Sequence, residues 1–313
     1  MNGSGHHKKA ISPLEGLLYF LSSLFCLGTL LFFVYVTIPS DPISHLVSRA
    51  NQMSPQSQLS EENRSLLRER LGLNDSLESR LKHFYTDLFN GSFGTSLWTG
   101  ESVRHLIDQR LPETVNLILP AFFLFLVLGI FLGGLQAILD GTKPGQVVTS
   151  FNTTLYCIPV FSLASGLMRI HLPFSSDFLA ILVYLGATTP TLATLVSERL
   201  LEEEKQTYAQ AARAKGLSRR QLFQRHLLKP CLPVVLSLLP WWWSVILGTA
   251  IIVEPIFRIS GIGMLSFEAF RNQDIPVLLG ISLFLGGGRL LLGSVRDVFF
   301  NRLFSAQRAG QRG

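Results

Sequence analysis

The residues of this chain that could perform chemistry are few, and their spacing suits no catalytic arrangement. There is no GxxxxGKS or GxxxxGKT run, so the chain lacks the glycine-rich cradle with which P-loop proteins hold ATP. There is no HExxH pair, and no grouping of Ser, His and Asp or of Cys and His that places a nucleophile beside its base. Cys26, Cys157 and Cys231 are odd in number and far apart, which suits neither a disulfide framework nor a metal site; they read as small buried hydrophobes. His83, His105 and His171 fall outside the apolar runs and read as surface residues. No catalytic residue, metal site or cofactor is expected in this chain.

One stretch is built for mechanical work instead. It reads Thr207-Tyr208-Ala209-Gln210-Ala211-Ala212-Arg213-Ala214-Lys215-Gly216-Leu217-Ser218. Closely spaced alanines favour a helix and keep it thin enough to enter a groove on another protein. Gly216 supplies the positive-φ turn that ends it. A second helical segment, 219–229, leads to Pro230 and Pro233. Two short helices meeting at an angle can pass a rigid push to the segments they join.

The segments on either side of them are apolar. Of the 313 residues, 48% are hydrophobic and 15% charged, whereas an ordinary soluble domain carries about 25% charged residues. The apolar residues also come in long runs. About 20 of them are needed to cross a hydrocarbon core, and six stretches qualify: 16–38, 117–139, 146–168, 178–196, 234–253 and 277–295. The third contains Asn152, Thr153, Thr154 and Pro159, and the sixth contains Gly286-Gly287-Gly288 and Arg289. Such residues are tolerated where a span packs against protein, and Arg289 must snorkel or find a partner. Pro159 and Pro190 are candidate kinks. Trp241-Trp242-Trp243, near the inner end of the fifth run, read as packing and interface residues ahead of a substrate site. The spans carry no chain of carboxylates or histidines for proton coupling, and Glu254 falls at the outer end of the fifth, where a carboxylate can stay solvated.

The net charge of +6 would suggest nucleic acid on a soluble protein. Here the basic residues collect outside the apolar runs: Lys8 and Lys9; Arg199, Lys205, Arg213, Lys215, Arg219, Arg220, Arg225 and Lys229; and Arg296, Arg302, Arg308 and Arg312. Their alternation places both termini and the fourth connection in the cytoplasm, and nucleic acid is not expected as a partner. The long first connection, 39–116, is then external. Ser60-Glu61-Glu62 starts a helix that Gly72 stops. Leu77, Leu81, Phe84, Tyr85, Leu88 and Phe89 form a second amphipathic stretch ending at Gly91. A third runs from Ser102 to Leu111 and ends at Pro112. These short helices are expected over the outer mouth.

At Gln210-Ala211-Ala212, three residues, then Gly216, the chain resembles the cytoplasmic Glu-Ala-Ala…Gly motif of binding-protein-dependent ABC importer permeases. More narrowly, Ala212-Arg213-Ala214-Lys215-Gly216-Leu217-Ser218 with Arg225-His226 and Pro233 is similar to the dipeptide/oligopeptide/nickel permease family, in its subunit type with a long first external loop. Leu71-Gly72-Leu73, Gly94-Thr95-Ser96, Thr99-Gly100 and Arg110-Leu111-Pro112-Glu113-Thr114 resemble that loop, and Pro159-Val160-Phe161 the third span. Val253-Glu254-Pro255-Ile256-Phe257, Gly261-Ile262-Gly263 and Asp274-Ile275-Pro276-Val277 resemble the segment joining the fifth and sixth spans. Two departures stand out: Gln210 replaces the charged residue usual there, and the 169–177 connection is short for the family.

The resemblance implies an all-α polytopic membrane protein with the type I ABC importer permease fold, about six transmembrane helices and both termini inside. Its expected organisation is a cytoplasmic N-terminus and first helix over 1–38, an external helical loop over 39–116, a permease core over 117–295 with the coupling loop at 197–233, and a basic tail over 296–313. It implies a non-enzymatic transport subunit of the bacterial inner membrane. The expected partners are a second permease subunit, two P-loop ATPases that bind ATP and magnesium, and an external substrate-binding protein. Tyr208, Gln210, Ala211, Ala212, Arg213, Ala214, Lys215, Gly216, Leu217 and Ser218 become the ATPase-coupling residues. Short peptides are the first expectation for the solute, with nickel or another small solute behind them. A self-sufficient channel or secondary transporter, and a membrane scaffold, remain as competing readings.

Overall fold

The computed structural model describes residues 13–37, 75–170, 172–216, 218–222 and 228–310. The expected helix at 60–72, the Leu71-Gly72-Leu73 motif, Lys8, Lys9, His171, Leu217, Arg225, His226 and Arg312 lie outside the described residues. Among the described residues the fold is all helical, with one isolated antiparallel bridge between Thr95 and Ser102. In chain order the helices are α1 (Pro13–Thr37), α2 (Leu77–Phe89), α3 (Val103–Ile138), α4 (Lys143–Cys157), α5 (Val160–Arg169), α6 (Ser176–Glu204), α7 (Thr207–Ala214), α8 (Arg219–Leu222), α9 (Leu228–Phe257), α10 (Ile262–Arg271) and α11 (Ile275–Gly310). Five are long and apolar enough to cross a membrane, and α4 with α5, bent by 95° at their junction, makes a sixth span if the pair is counted as one. An α-helix satisfies its own backbone groups, which is the condition for crossing hydrocarbon.

The chain forms two compact units. The first comprises Met1–Ser22, Glu113–Met264 and Gly288–Gly313, and the second Ser23–Pro112 and Leu265–Gly287. In the first, α6 is the hub, packing against α4, α5, α7 and α9. Val183, Tyr184, Leu192, Ala193, Val196 and Leu200 are fully enclosed. Small residues permit this: a Cβ added at Gly133 would run into the Ala193 carbonyl and Val196, and one at Gly129 into Leu192. Close backbone approach through such residues is how helices associate without a hydrophobic drive between them. Trp242 is 5% exposed and packs its ring on Phe122 and Phe125 at 4.7 and 5.9 Å. The tryptophans therefore pack helices as expected, although they sit midway along α9 and not near its inner end. Arg289 finds its partner, its Nε donating to Ser244 Oγ at 2.9 Å.

In the second unit, α2 lies along α1. Tyr85 stacks on Phe25 at 5.0 Å, its hydroxyl donates to the Phe25 carbonyl, and Phe84 meets Phe32 at 5.5 Å. Arg80 stands over the Tyr35 ring, so the two helices run antiparallel. Ser76 caps α2, accepting from Ser79 N, and Gly91 leaves it at φ +71°, as the amphipathic pattern and the glycine predict.

Four expectations are corrected. The third span is no single helix: Ile158 takes extended backbone before Pro159, whose ring disfavours a helical residue in front of it and whose nitrogen donates nothing, and the chain turns there. Pro112 does not end a helix; α3 runs through it. Val103, Leu106, Ile107, Thr114, Leu117, Ala121 and Phe125 keep one buried stripe in register across it. Asp108, whose carbonyl loses its intrahelical donor, and Pro112 are both exposed, so that carbonyl is not left buried without a partner. The helix that carries the second apolar run thus begins well before residue 117, at Val103. Cys26 and Cys157 lie exposed on the outside of the protein, and of the three cysteines only Cys231 is buried in it. The fourth correction, at Glu254, belongs to the site.

Candidate functional site

The predicted coupling stretch folds as α7, separated from the last turn of α6 by Lys205 and Gln206 alone. Gln206 is extended, at φ −72° and ψ 150°, and redirects the chain. Ala209 is fully buried and Ala212 half-buried, while Thr207, Gln210, Ala211, Ala214 and Lys215 are exposed. At about 100° per residue, Thr207, Ala211 and Ala214 share the face opposite Ala209. The helix therefore has an attached side and an open side of small residues.

The attached side is held by polar groups as well as by Ala209. The Tyr208 hydroxyl donates to Glu203 Oε2 at 2.6 Å. Glu203 is only 8% exposed, and its other oxygen meets the Arg199 guanidinium at 2.5 Å. The Arg213 guanidinium pairs with Glu204, and Gln210 Nε2 donates to the Lys205 carbonyl at 3.1 Å. Burial and the Glu203 carboxylate push the Tyr208 hydroxyl up to about 12, so at neutral pH it keeps its proton and donates.

Gly216 ends the helix at φ +86°, its N–H donating to the Arg213 carbonyl at 2.8 Å. A Cβ there would meet nothing within 4 Å, so conformation alone requires glycine. Ser218 then starts α8: its hydroxyl accepts from Gln221 N while Gln221 Oε1 accepts from Ser218 N, a reciprocal capping box. The stretch Tyr208–Ser218 is thus present as a helix, a left-handed turn and a second helix start, with Leu217 outside the described residues. Glu203, Glu204 and Arg199 are absent from the sequence-based set of coupling residues, although Glu203 and Glu204 beside a tyrosine and an arginine of the next helix were the available signal.

Two further polar constructions stand on residues that the family resemblance quotes. In the first unit, α9 ends in a Schellman turn: Arg258 is at φ +58°, Ile259 N donates to the Glu254 carbonyl, and Arg258 N to that of Pro255. The Glu254 side chain is fully buried, contrary to the solvated carboxylate expected. It accepts from Thr114 Oγ1 at 2.8 Å and from Met264 N at 3.0 Å, and Thr114 Oγ1 in turn accepts from Ile262 N at 2.7 Å. The inward carboxylate and the threonine hydroxyl thereby supply acceptors for N–H groups at the start of α10 that would otherwise lack partners. A Cβ at Gly261 would strike both Thr114 and Glu254, and one at Gly263 the Ala250 carbonyl.

In the second unit, α10 ends in the same way at Gln273, φ +54°. Asp274, 3% exposed, accepts from Ser96 Oγ at 2.5 Å and from the backbone N–H groups of Leu97 and Trp98 at 3.2 Å each. This clasps the turn from Gly94 to Gly100 onto the start of α11.

A model described as the binding-protein-dependent transport system inner membrane component matches residues 104–308, well over half of the chain. A probable peptide ABC transporter permease protein of Sinorhizobium fredii is 26% identical over 254 residues, covering 75% of this chain and 81% of that protein. The nickel import system permease protein NikB of Staphylococcus aureus is 26% identical over 305 residues, 95% of this chain and 92% of the relative. Among solved structures, an inward-facing form of the MetNI methionine ABC transporter aligns with a TM-score of 0.50 at 19% identity, over 63% of this chain and 97% of that one, a likeness of fold alone. The helices, the broken span and the α7–Gly216 turn thus sit in a multi-pass transport subunit, and the chain belongs to the family of inner membrane components of binding-protein-dependent transport systems.

Proposed function

We propose that this chain forms half of the translocation path of an ATP-driven importer in the bacterial inner membrane, with α7 as the element that receives the ATPase stroke. The termini and the 197–233 connection lie on the cytoplasmic side, by the distribution of lysine and arginine. A second permease subunit completes the path, two P-loop ATPases supply the energy and bind magnesium and ATP, and an external binding protein delivers the solute. Short peptides are the leading cargo and nickel the second, since relatives along most of the chain are named for each. The observation that carries the coupling reading is the two-sided α7: one face is fastened to the end of α6, the other is open and made of Thr207, Ala211 and Ala214, and Gly216 closes it at φ +86°. A thin helix with its backbone accessible fits a cleft on a partner.

ATP-driven closure of the ATPases would move α7 and, through α6, bias the spans between inward- and outward-open states. ATP and the loaded binding protein must each favour one state for such coupling to exist. The test is to tag the chain, solubilise native membranes in mild detergent and identify what co-purifies. A P-loop ATPase and a second multi-span subunit are expected; a chain that emerges alone overturns the reading. In the assembled transporter, Gly216→Val should abolish uptake while the protein stays in the membrane, because a β-branched residue is strained at that φ.

A further inference from the structure

Three of the side chains on α7 that could have faced a partner are turned instead toward its own chain. Tyr208 is spent on Glu203, Arg213 on Glu204, and Gln210 on the Lys205 carbonyl. All three acceptors belong to the last turn of α6 or to the residue that caps it. Tyr208 and Arg213 sit in the first and last turns of α7, so the helix is held at both ends, with Ala209 buried between them. Two fastenings prevent the pivoting that one would allow.

The residues behind the clamp are firm. Glu203 is braced by Arg199 one turn back on α6, at 2.5 Å. Leu200 on the same helix is fully buried, and Cys231, at the start of α9, is 3% exposed. α6 is the hub of its unit. A force applied to α7 therefore meets a part of α6 anchored by the buried Leu200 and Glu203.

We propose that Glu203 and Glu204 are positioning residues that join α7 to α6 as one rigid lever, so that displacement of α7 becomes displacement of the hub helix; this rests on the coupling reading above. Neither glutamate touches the partner. Gln210, standing where the family carries a charged residue, serves the same attachment by donating to the Lys205 carbonyl at the end of α6.

The test uses the transporter purified with its co-purifying subunits, reconstituted in liposomes, with radiolabelled trialanine and radiolabelled nickel(II) as the two solutes tried. The readout is solute taken up per ATP hydrolysed. Glu203→Gln and Tyr208→Phe should each lower it about 10-fold, as expected for a hydrogen bond to a charged group, and the double variant should fall no further than the worse single one. Glu204→Arg and Arg213→Glu should each lower it about 2-fold, in keeping with a partly exposed pair, and the charge-swapped double variant should restore it. The swap shows that the two side chains act on each other, and uptake per ATP hydrolysed separates that from a mere loss of folded transporter.

Unchanged uptake per ATP in the singles, or a swap no better than either single, overturns the clamp while leaving the coupling reading intact. If the wild-type chain brings no ATPase with it, both fall together. Should these variants fail to assemble, hydrogen exchange at the α7 amides of the co-purified wild-type complex can be followed with and without Mg-ATP. Protection retained on adding nucleotide is expected of a lever; loss of it overturns the clamp.

Discussion

Two kinds of acidic side chain hold this protein together, and they differ in what they hold. Glu254 and Asp274 are buried and accept from hydroxyls and backbone N–H groups. Glu203 and Glu204 lie at the end of α6 and face a tyrosine and two arginines, long side chains reaching from neighbouring turns. The first kind fixes where the chain turns. A backbone N–H has no other place to go, so the bond is all or nothing. The second kind, no less enclosed at Glu203, joins the end of α6 to its neighbours through a tyrosine and arginines that are themselves partly exposed. If the proposed lever holds, architecture and transmission fall to different carboxylates, and the consequences of removing them should separate.

The largest effect is expected where the turn around Glu254 is overfilled. Gly261→Ala places a methyl against both the Thr114 hydroxyl and the Glu254 carboxylate, and overpacking of this kind costs about 3 kcal/mol or more when backbone must shift. Folded protein recovered as a monodisperse peak in detergent should fall sharply; normal yield and thermal midpoint would show that the turn can relax. Next is Glu254→Ala, which strands the Met264 N–H and the Thr114 hydroxyl. Leaving buried groups of this type unpaired costs about 1–3 kcal/mol each, and the thermal midpoint should drop accordingly. A smaller loss of about 1–2 kcal/mol is expected for Asp274→Asn, which keeps one acceptor oxygen. Its signature is local: faster hydrogen exchange at the Leu97 and Trp98 amides, with exchange in α6 unaltered.

Against these, Glu204→Gln should move the thermal midpoint little, because a pair whose arginine is 46% exposed contributes less than about 1 kcal/mol. If it destabilised as much as Glu254→Ala, the division between the two kinds of carboxylate would collapse. The smallest response is to alkali. The Tyr208 hydroxyl is raised from 10.0 to about 12, so what its bond contributes is complete below the unfolded value and is lost only as pH rises through the folded one. Uptake per ATP should therefore show no inflection from this tyrosine between neutral and mildly alkaline pH.

The long apolar runs, the helix of alanines, the positive φ at Gly216 and the amphipathic helix from Leu77 to Phe89 ahead of Gly91 are all legible in the sequence. Each rests on signals within a few residues: hydropathy over a span, a cap, a glycine where only glycine turns without strain. Proline is less legible, because its effect is decided by surroundings. Pro159 breaks a span and Pro112 does not, and the difference is that the buried stripe of α3 continues in register through Pro112 while the chain at Ile158 turns by 95°. Glu254 misleads for a related reason. A carboxylate at the end of an apolar run looks solvated until a threonine 140 residues earlier and the amides of the next helix are brought against it.

By itself the sequence determined that the chain is helical, spans a membrane several times and presents a thin helix closed by glycine, since hydrophobicity and backbone conformation are properties of short segments. Only the tertiary structure decided which carboxylates are buried and which face of α7 is already occupied. Those depend on pairing atoms far apart along the chain, and no local pattern records a partner that folding alone brings within about 3 Å.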